Sequence, residues 1–226
     1  MKRVMLHKDV LQGNRIQADE NRMLFQQGSV LTINMMSSPG AGKTTLLERT
    51  VESLKGKLRM AVIEGDVATT LDAERISSSG VETVQINTHG ACHLHAGMIA
   101  SVLPAFDLYE LDLLIIENVG NLVCPADFDL GEHLRVTILS TAEGTDKVHK
   151  YPAVFQCSDA VILNKMDLLP YVNFDLEHVY QAVQEMNPDV RIFEICALSG
   201  EGIDSWIRWL QHQQAEFKRE SEGESK

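Results

Sequence analysis

The chain has 226 residues, room for one large or two small domains, and its 44% hydrophobic and 23% charged content is that of an ordinary globular protein. A formal net charge of −12 argues against a sequence-independent surface for nucleic acid or for an anionic membrane. No charged-then-apolar leader opens the chain and no run approaches the roughly 18–20 apolar residues of a membrane span, so a cytoplasmic protein is expected.

Residues 1–29 are polar and mixed, and Asn14 to Gln27 carries Ile16, Met23, Leu24 and Phe25 among charges, which predicts an amphipathic helix packed on the domain. A main domain is expected over 30–218. Its first strand is the apolar run Val30 to Met36, followed by a glycine loop and a helical pattern from Leu46. Met60 to Glu64 reads as a second strand ending in Gly65-Asp66, then a helix from Thr69 to Ser79 and an alternating strand from Val81 to Ile86. Leu111 to Glu117, Val136 to Leu139, Ala160 to Leu163 and Arg191 to Ile195 are further strands, with helical patterns at Asp175–Met186 and Gly202–Phe217. Strands alternating with helices predict an α/β fold: a mostly parallel sheet with helices on both faces. Residues 219–226 read as a flexible polar tail.

Ser37-Ser38-Pro39-Gly40-Ala41-Gly42-Lys43-Thr44-Thr45 lies between a strand and a helix, the context of a phosphate-binding P-loop. Gly40, Ala41 and Gly42 would turn backbone N–H groups toward one anion, with Thr45 beside them on the helix. Lys43 would reach the β- and γ-phosphates, and the Thr44 hydroxyl would join the shell of Mg²⁺. The usual first glycine of the motif is Ser37 here, which requires a negative φ at that position.

Asp66 ends the second strand and could hold a Mg²⁺-bound water, orient the attacking water, or cap the next helix. Glu117 ends a buried-type strand and suits outer-sphere Mg²⁺ binding, while the Gly120 N–H suits a γ-phosphate oxygen on a loop free to rearrange. Asn164-Lys165-Met166-Asp167 is the N-K-x-D arrangement of guanine binders. Asp167 can accept from guanine N1–H and the 2-amino group, whereas adenine would leave it unpaired, a discrimination worth roughly 10⁴–10⁵-fold. Lys165 would stack on the base, Asn164 would brace the loops, and the Ala197 backbone would touch the guanine oxygen. GTP and GDP are therefore the expected nucleotides.

The four cysteines, Cys92, Cys124, Cys157 and Cys196, are widely spaced and read as thiols or metal ligands before disulfides. Cys92 and His93 adjoin, and Cys124 sits four residues after Gly120. Thiolate and imidazole suit Zn²⁺ or Ni²⁺. A buried cysteine and a solvated histidine remain the alternative, as do plain surface roles for His89 and His95.

The P-loop ending Gly-Lys-Thr-Thr, Glu117-Asn118-Val119-Gly120-Asn121-Leu122-Val123-Cys124-Pro125 and Thr88-His89-Gly90-Ala91-Cys92-His93-Leu94 together resemble the nickel-incorporation GTPases of NiFe-hydrogenase maturation. The resemblance runs from about Val30 to Trp209. It implies a GTPase of the signal-recognition/MinD class that forms a homodimer with GTP bound and carries a metal site from Cys92, His93 and Cys124 at the dimer interface. It further implies a partner zinc/nickel metallochaperone and the hydrogenase large subunit as client, and a lysine near the nucleotide across the dimer, matched here by Lys147. The cysteine-rich leader and histidine-rich stretch of some members have no counterpart, which counts against nickel storage. A urease-type nickel-loading GTPase and a regulatory or targeting GTPase with no metal role stay open.

Overall fold

The structure is a computed structural model that describes residues 6–66 and 71–223. Seven strands form one all-parallel sheet: β1 Leu31–Ser37, β2 Met60–Asp66, β3 Glu82–Asn87, β4 Leu113–Glu117, β5 Leu134–Ser140, β6 Ala160–Asn164 and β7 Arg191–Ile195. Their order is β3-β2-β4-β1-β5-β6-β7, so β1 lies at the centre. Every residue of β1, β4 and β6 is buried, as expected of parallel strands covered on both faces, and this explains their near-continuous apolar runs.

One face carries α2 (Lys43–Leu54), α3 (Leu71–Ser77) and α9 (Ile203–Gly223), whose Leu46, Leu47, Ile76, Trp206 and Leu210 meet Ile33 and Met35 of β1. Trp206 is fully buried and its Nε1 donates to Thr50 Oγ1 at 2.9 Å, which satisfies its one polar atom. The other face has two clusters. One packs α1 (Leu6–Gln27) and α4 (Ala96–Val102) on β2 and β4. The second packs α7 (Pro152–Gln156) and α8 (Leu176–Met186) on β5 and β6, beside the short α6 (Lys147–Lys150). A further short helix, α5 (Cys124–Asp127), follows β4. No described helix is long and apolar enough to cross a membrane.

Three sequence expectations need correction. The N-terminal helix starts earlier, at Leu6, and buries a different face. Ile16, Met23 and Leu24 are exposed, and only Phe25 of the expected apolar set is buried, with Ala18 and Asn21. Amide chemistry docks this helix: Asn21 Nδ2 donates to Ala96 O and Leu130 O at 2.9 Å each, and Asn14 bridges Asp129 O and Ala96 N. The helix expected over Thr69–Ser79 spans Leu71–Ser77, and residues 67–70 lie outside the described residues. Of the tail expected over 219–226, residues up to Gly223 continue α9, with Ser221 Oγ bonded to Phe217 O and Arg219 paired with Glu216, and residues 224–226 lie outside the described residues.

His133, just before β5, is held in its neutral form. Its Nδ1 accepts from the Thr32 N–H at 3.0 Å, and its ring lies 4.2 Å from that of Phe217. Burial, helped by the Arg22 charge, lowers its pKa from 6.5 to about 4. The unfolded chain therefore binds the extra proton first, so this stability is complete above pH 6.5 and is lost as pH falls toward 4. The expected loss between pH 7 and 4.5 is about 2–3 kcal/mol from this residue. Urea unfolding at both pH values should show a smaller acid loss for His133→Gln than for wild type, and equal losses would refute the assignment.

Candidate functional site

The site lies at the carboxyl ends of the central strands, where an open α/β sheet turns its loops toward a ligand. Ser37 ends β1 fully buried, and it is not among the described non-glycine residues with positive φ, which are Ser29, His89 and Lys165. The requirement set by replacing the first glycine is thus met. Gly40 and Gly42 do need their freedom, with φ of 74° and 93°, and a Cβ on Gly42 would strike the Asn164 amide. Asn164 Nδ2 donates to Ala41 O at 2.8 Å while its Oδ1 accepts from Ala197 N at 3.0 Å, so one buried side chain ties the glycine loop to the loop after β7.

Around the glycine loop runs a cleft of about 580 Å³ whose walls include Lys43, Thr44, Asp66, Glu117 and Gly120. Glu117 is buried, and its Oε1 accepts from Lys43 Nζ and from Thr44 Oγ1, each at 2.7 Å. Its Oε2 is buried with no hydrogen-bond partner. A hydroxyl, a buried carboxylate with an unfilled oxygen and the Asp66 carboxylate at the mouth form an all-oxygen donor set of the kind Mg²⁺ requires, so these residues fit that ion.

Lys165 adopts the left-handed conformation, φ 61°, and its Nζ donates to Gly40 O at 2.6 Å, so its stem spans the edge of the cleft. Thr141 Oγ1 fixes the Lys165 carbonyl at 2.7 Å, and Asp167 stands exposed on the following turn. The backbone at Ala197, expected to meet the guanine oxygen, is held in place by its N–H to Asn164 Oδ1. Sequence reasoning missed Arg49, whose guanidinium holds Ala197 O at 3.3 Å and Leu198 O at 2.9 Å from α2. A basic residue on α2 facing a distant loop gave no local signal.

Lys147 lies beside its own chain's P-loop, lining a smaller cleft of about 290 Å³ with Pro39, Gly120 and Val123. Its Nζ is 3.6 Å from Glu143 Oε2 and 5.3 Å from the Tyr151 ring centre.

Cys92, His93 and Cys124 come together, their ligand atoms all within 4.8 Å of one another. Cys92 Sγ is 3.1 Å from Cys124 Sγ and 3.6 Å from His93 Nδ1. The hydrogen bond with Cys92, and then burial, push the Cys124 thiol up, so metal binding there must release protons. Burial pulls His93 down, keeping its ring neutral and able to ligate, and Phe128 packs on it at 4.0 Å. His89 is exposed, and His95 caps α4 through Nδ1. Neither belongs to the cluster.

The loop bearing Cys92 lays the Leu94 side chain over Gly65 of β2. A Cβ would come within 2.8 Å of Leu94. Two asparagines then join this loop to the one after β4. Asn118, fully buried, accepts from Leu94 N at 3.1 Å and from Val119 N at 2.9 Å, and donates to Asn34 Oδ1 at 3.2 Å. Asn121 Nδ2 donates to Cys92 O at 3.1 Å. Between them Gly120 lies against the P-loop, where a Cβ would sit 3.1 Å from Pro39 Cα. The thiol cluster and the phosphate cleft therefore share one short segment.

The sequence pattern of the CobW/HypB/UreG nucleotide-binding domain matches residues 31–194. A hydrogenase maturation factor HypB of Escherichia coli strain K12 is 50% identical over 205 residues, covering 91% of this chain and 71% of that protein. A probable hydrogenase maturation factor HypB of Methanocaldococcus jannaschii is 39% identical, covering 93% and 96%. Among solved structures, HypB of Helicobacter pylori in complex with nickel superposes with a TM-score of 0.85 at 38% identity, covering 90% of this chain and 96% of that one. With a domain match over most of its length and relatives this similar, the chain belongs to the CobW/HypB/UreG family of nucleotide-binding proteins.

Proposed function

We propose that the chain is a metal-regulated GTPase that inserts nickel during NiFe-hydrogenase maturation, working in the cytoplasm as a GTP-linked homodimer. A partner metallochaperone supplies the metal and the hydrogenase large subunit receives it. One observation carries the reading: the Cys92–His93–Cys124 cluster hangs on the segment that abuts the P-loop at Gly120. The nickel-bound relative adds weight to that choice of cargo.

In this reading Gly40 to Thr45 cradle the phosphates, Lys43 contacts the β- and γ-oxygens, and Gly120 N–H takes a γ-oxygen. Asp167 reads guanine N1–H and the 2-amino group, Lys165 covers the base, and the backbone at Ala197 meets the guanine oxygen. Mg²⁺, bound through Thr44 with Glu117 and Asp66 in its outer sphere, would offset phosphate charge. Asp66 orients the water that attacks the γ-phosphorus. Lys147 completes the phosphate site in the dimer. Loss of the γ-phosphate frees Gly120, moves Cys124 relative to Cys92 and His93, and changes the affinity or geometry for Ni²⁺ or Zn²⁺.

The test is titration of the purified chain with Ni²⁺ and with Zn²⁺, in GDP and in a non-hydrolysable GTP analogue, with molecular size followed alongside. The expected result is a thiolate–nickel absorption whose affinity differs between nucleotides by about 5–150-fold, together with dimerisation in the analogue. Cys124→Ala should bind nucleotide normally and lose the difference. A metal affinity indifferent to nucleotide would leave a plain GTPase with structural cysteines.

A further inference from the structure

His149 and His178 lie far from the thiol cluster in the chain and play no part in the nucleotide cleft, yet their rings converge. His149 Nε2 and His178 Nε2 are 2.9 Å apart, with ring centres 5.1 Å apart and planes inclined at 55°. Both side chains are exposed, so no core packing forces them together.

The backbone beneath them is fixed. His149 follows Val148 on α6 and His178 precedes Val179 on α8, and both valines are fully buried in one cluster. Thr145 Oγ1 accepts from the Asp175 N–H at 2.8 Å, clamping the start of α8 to the segment leading into α6. Asp175 Oδ1 in turn accepts from the His178 N–H at 2.9 Å, setting the helix turn that aims the ring. Two imidazoles presented on rigid supports lose little freedom on closing around an ion.

The spacing has a geometric meaning. Two nitrogens each about 2.05 Å from one ion subtend a right angle when they are ~2.9 Å apart, and a tetrahedral angle when ~3.3 Å apart. A separation of 2.9 Å therefore matches two cis positions of a square-planar or octahedral ion, the geometry of Ni²⁺ or Cu²⁺ with nitrogen ligands.

We infer that His149 and His178 form a second, two-histidine site for a divalent transition-metal ion, with water filling the remaining positions. It is independent of the thiol cluster and of the nucleotide. Each neutral ring donates one Nε2 lone pair, so Nδ1 carries the proton and Nε2 of neither ring does. The competing arrangement is a single N–H···N hydrogen bond between the two rings.

The probe is Ni²⁺ alone, added to the full chain carrying Cys92→Ser and Cys124→Ser, with bound metal measured by equilibrium dialysis. One equivalent should remain, without thiolate–nickel absorption. His149→Ala and His178→Ala, each on that background, should weaken it about 10²-fold or more, because a chelate needs both rings. Retained GDP binding verifies that these variants are folded. In the wild-type chain two equivalents should bind, only one of them with thiolate absorption. If the double-serine chain binds no Ni²⁺, or if removing one ring leaves binding unchanged, the pair is only a hydrogen bond. Neither result bears on the cysteine site, whose own absorption reports it separately.

Discussion

In the nucleotide-free protein, Lys43→Ala should lower stability by about 3–5 kcal/mol, besides abolishing tight nucleotide binding. The reason is Glu117. Its carboxylate is 1% exposed and Lys43, 11% exposed, is its ion-pair partner at 2.7 Å. Truncating the lysine leaves a buried charge with only the Thr44 hydroxyl against it, since Oε2 already lacks a hydrogen-bond partner. For a chain of this size such a loss lowers Tm by on the order of 10 °C. Glu117→Gln on the same chain removes the charge and keeps an oxygen for Thr44, so the double variant should recover most of the stability and none of the nucleotide affinity. Thermal melts of the three proteins without nucleotide decide it. If the single and double variants melt together, Glu117 is not the source of the cost.

What could be read from the sequence here was what the chain encodes locally. A strand, Gly40 and Gly42-Lys43-Thr44 fall in one short stretch, and Asn164-Lys165-Met166-Asp167 begins at the last residue of β6, so both motifs carry their context with them. The parallel sheet followed from apolar runs long enough to be buried on both faces. Contacts made across the fold were not readable. Asn14 and Asn21 carried no apolar signal, yet their amides satisfy backbone groups at Ala96, Asp129 and Leu130. Ala197 matched a binding motif by name, and its amide is claimed by Asn164. The thiol cluster was readable only as residue types. Its two loops follow β3 and β4, which flank β2, and they are joined by the Asn118 and Asn121 side chains. Asn118 and Asn121 lie in the stretch after Glu117, but nothing in the local pattern said which distant loop they would bind.

Asn118→Ala should uncouple the metal site from the nucleotide. Its side chain joins the two loops from inside the core: its Oδ1 holds Leu94 N and Val119 N, and its Nδ2 holds Asn34. Asn34 continues inward to Glu132 Oε1 at 3.2 Å, and Glu132 is held by Arg135 at 2.7 Å, so Asn118 is the outer end of an anchored polar chain. A shift at Gly120 that turns Asn118 must therefore disturb the Leu94 amide, two residues from Cys92. Replacement by Ala leaves buried N–H groups unpaired, which costs roughly 2–4 kcal/mol in total, and breaks that link. Nucleotide affinity should change little, because Asn118 does not line the phosphate cleft. The ratio of Ni²⁺ affinities in GTP analogue and GDP should fall from the about 5–150-fold typical of linked sites to near unity. Asn121→Ala removes surface bonds only, those to the Cys92 carbonyl, the Val123 N–H and the Cys124 thiol, and should keep most of that ratio. Metal titrations of both variants, with GDP binding as the check on folding, separate the two asparagines. A wild-type ratio in Asn118→Ala would mean that the signal passes through the surface loop, and the buried amide would then be a structural brace alone.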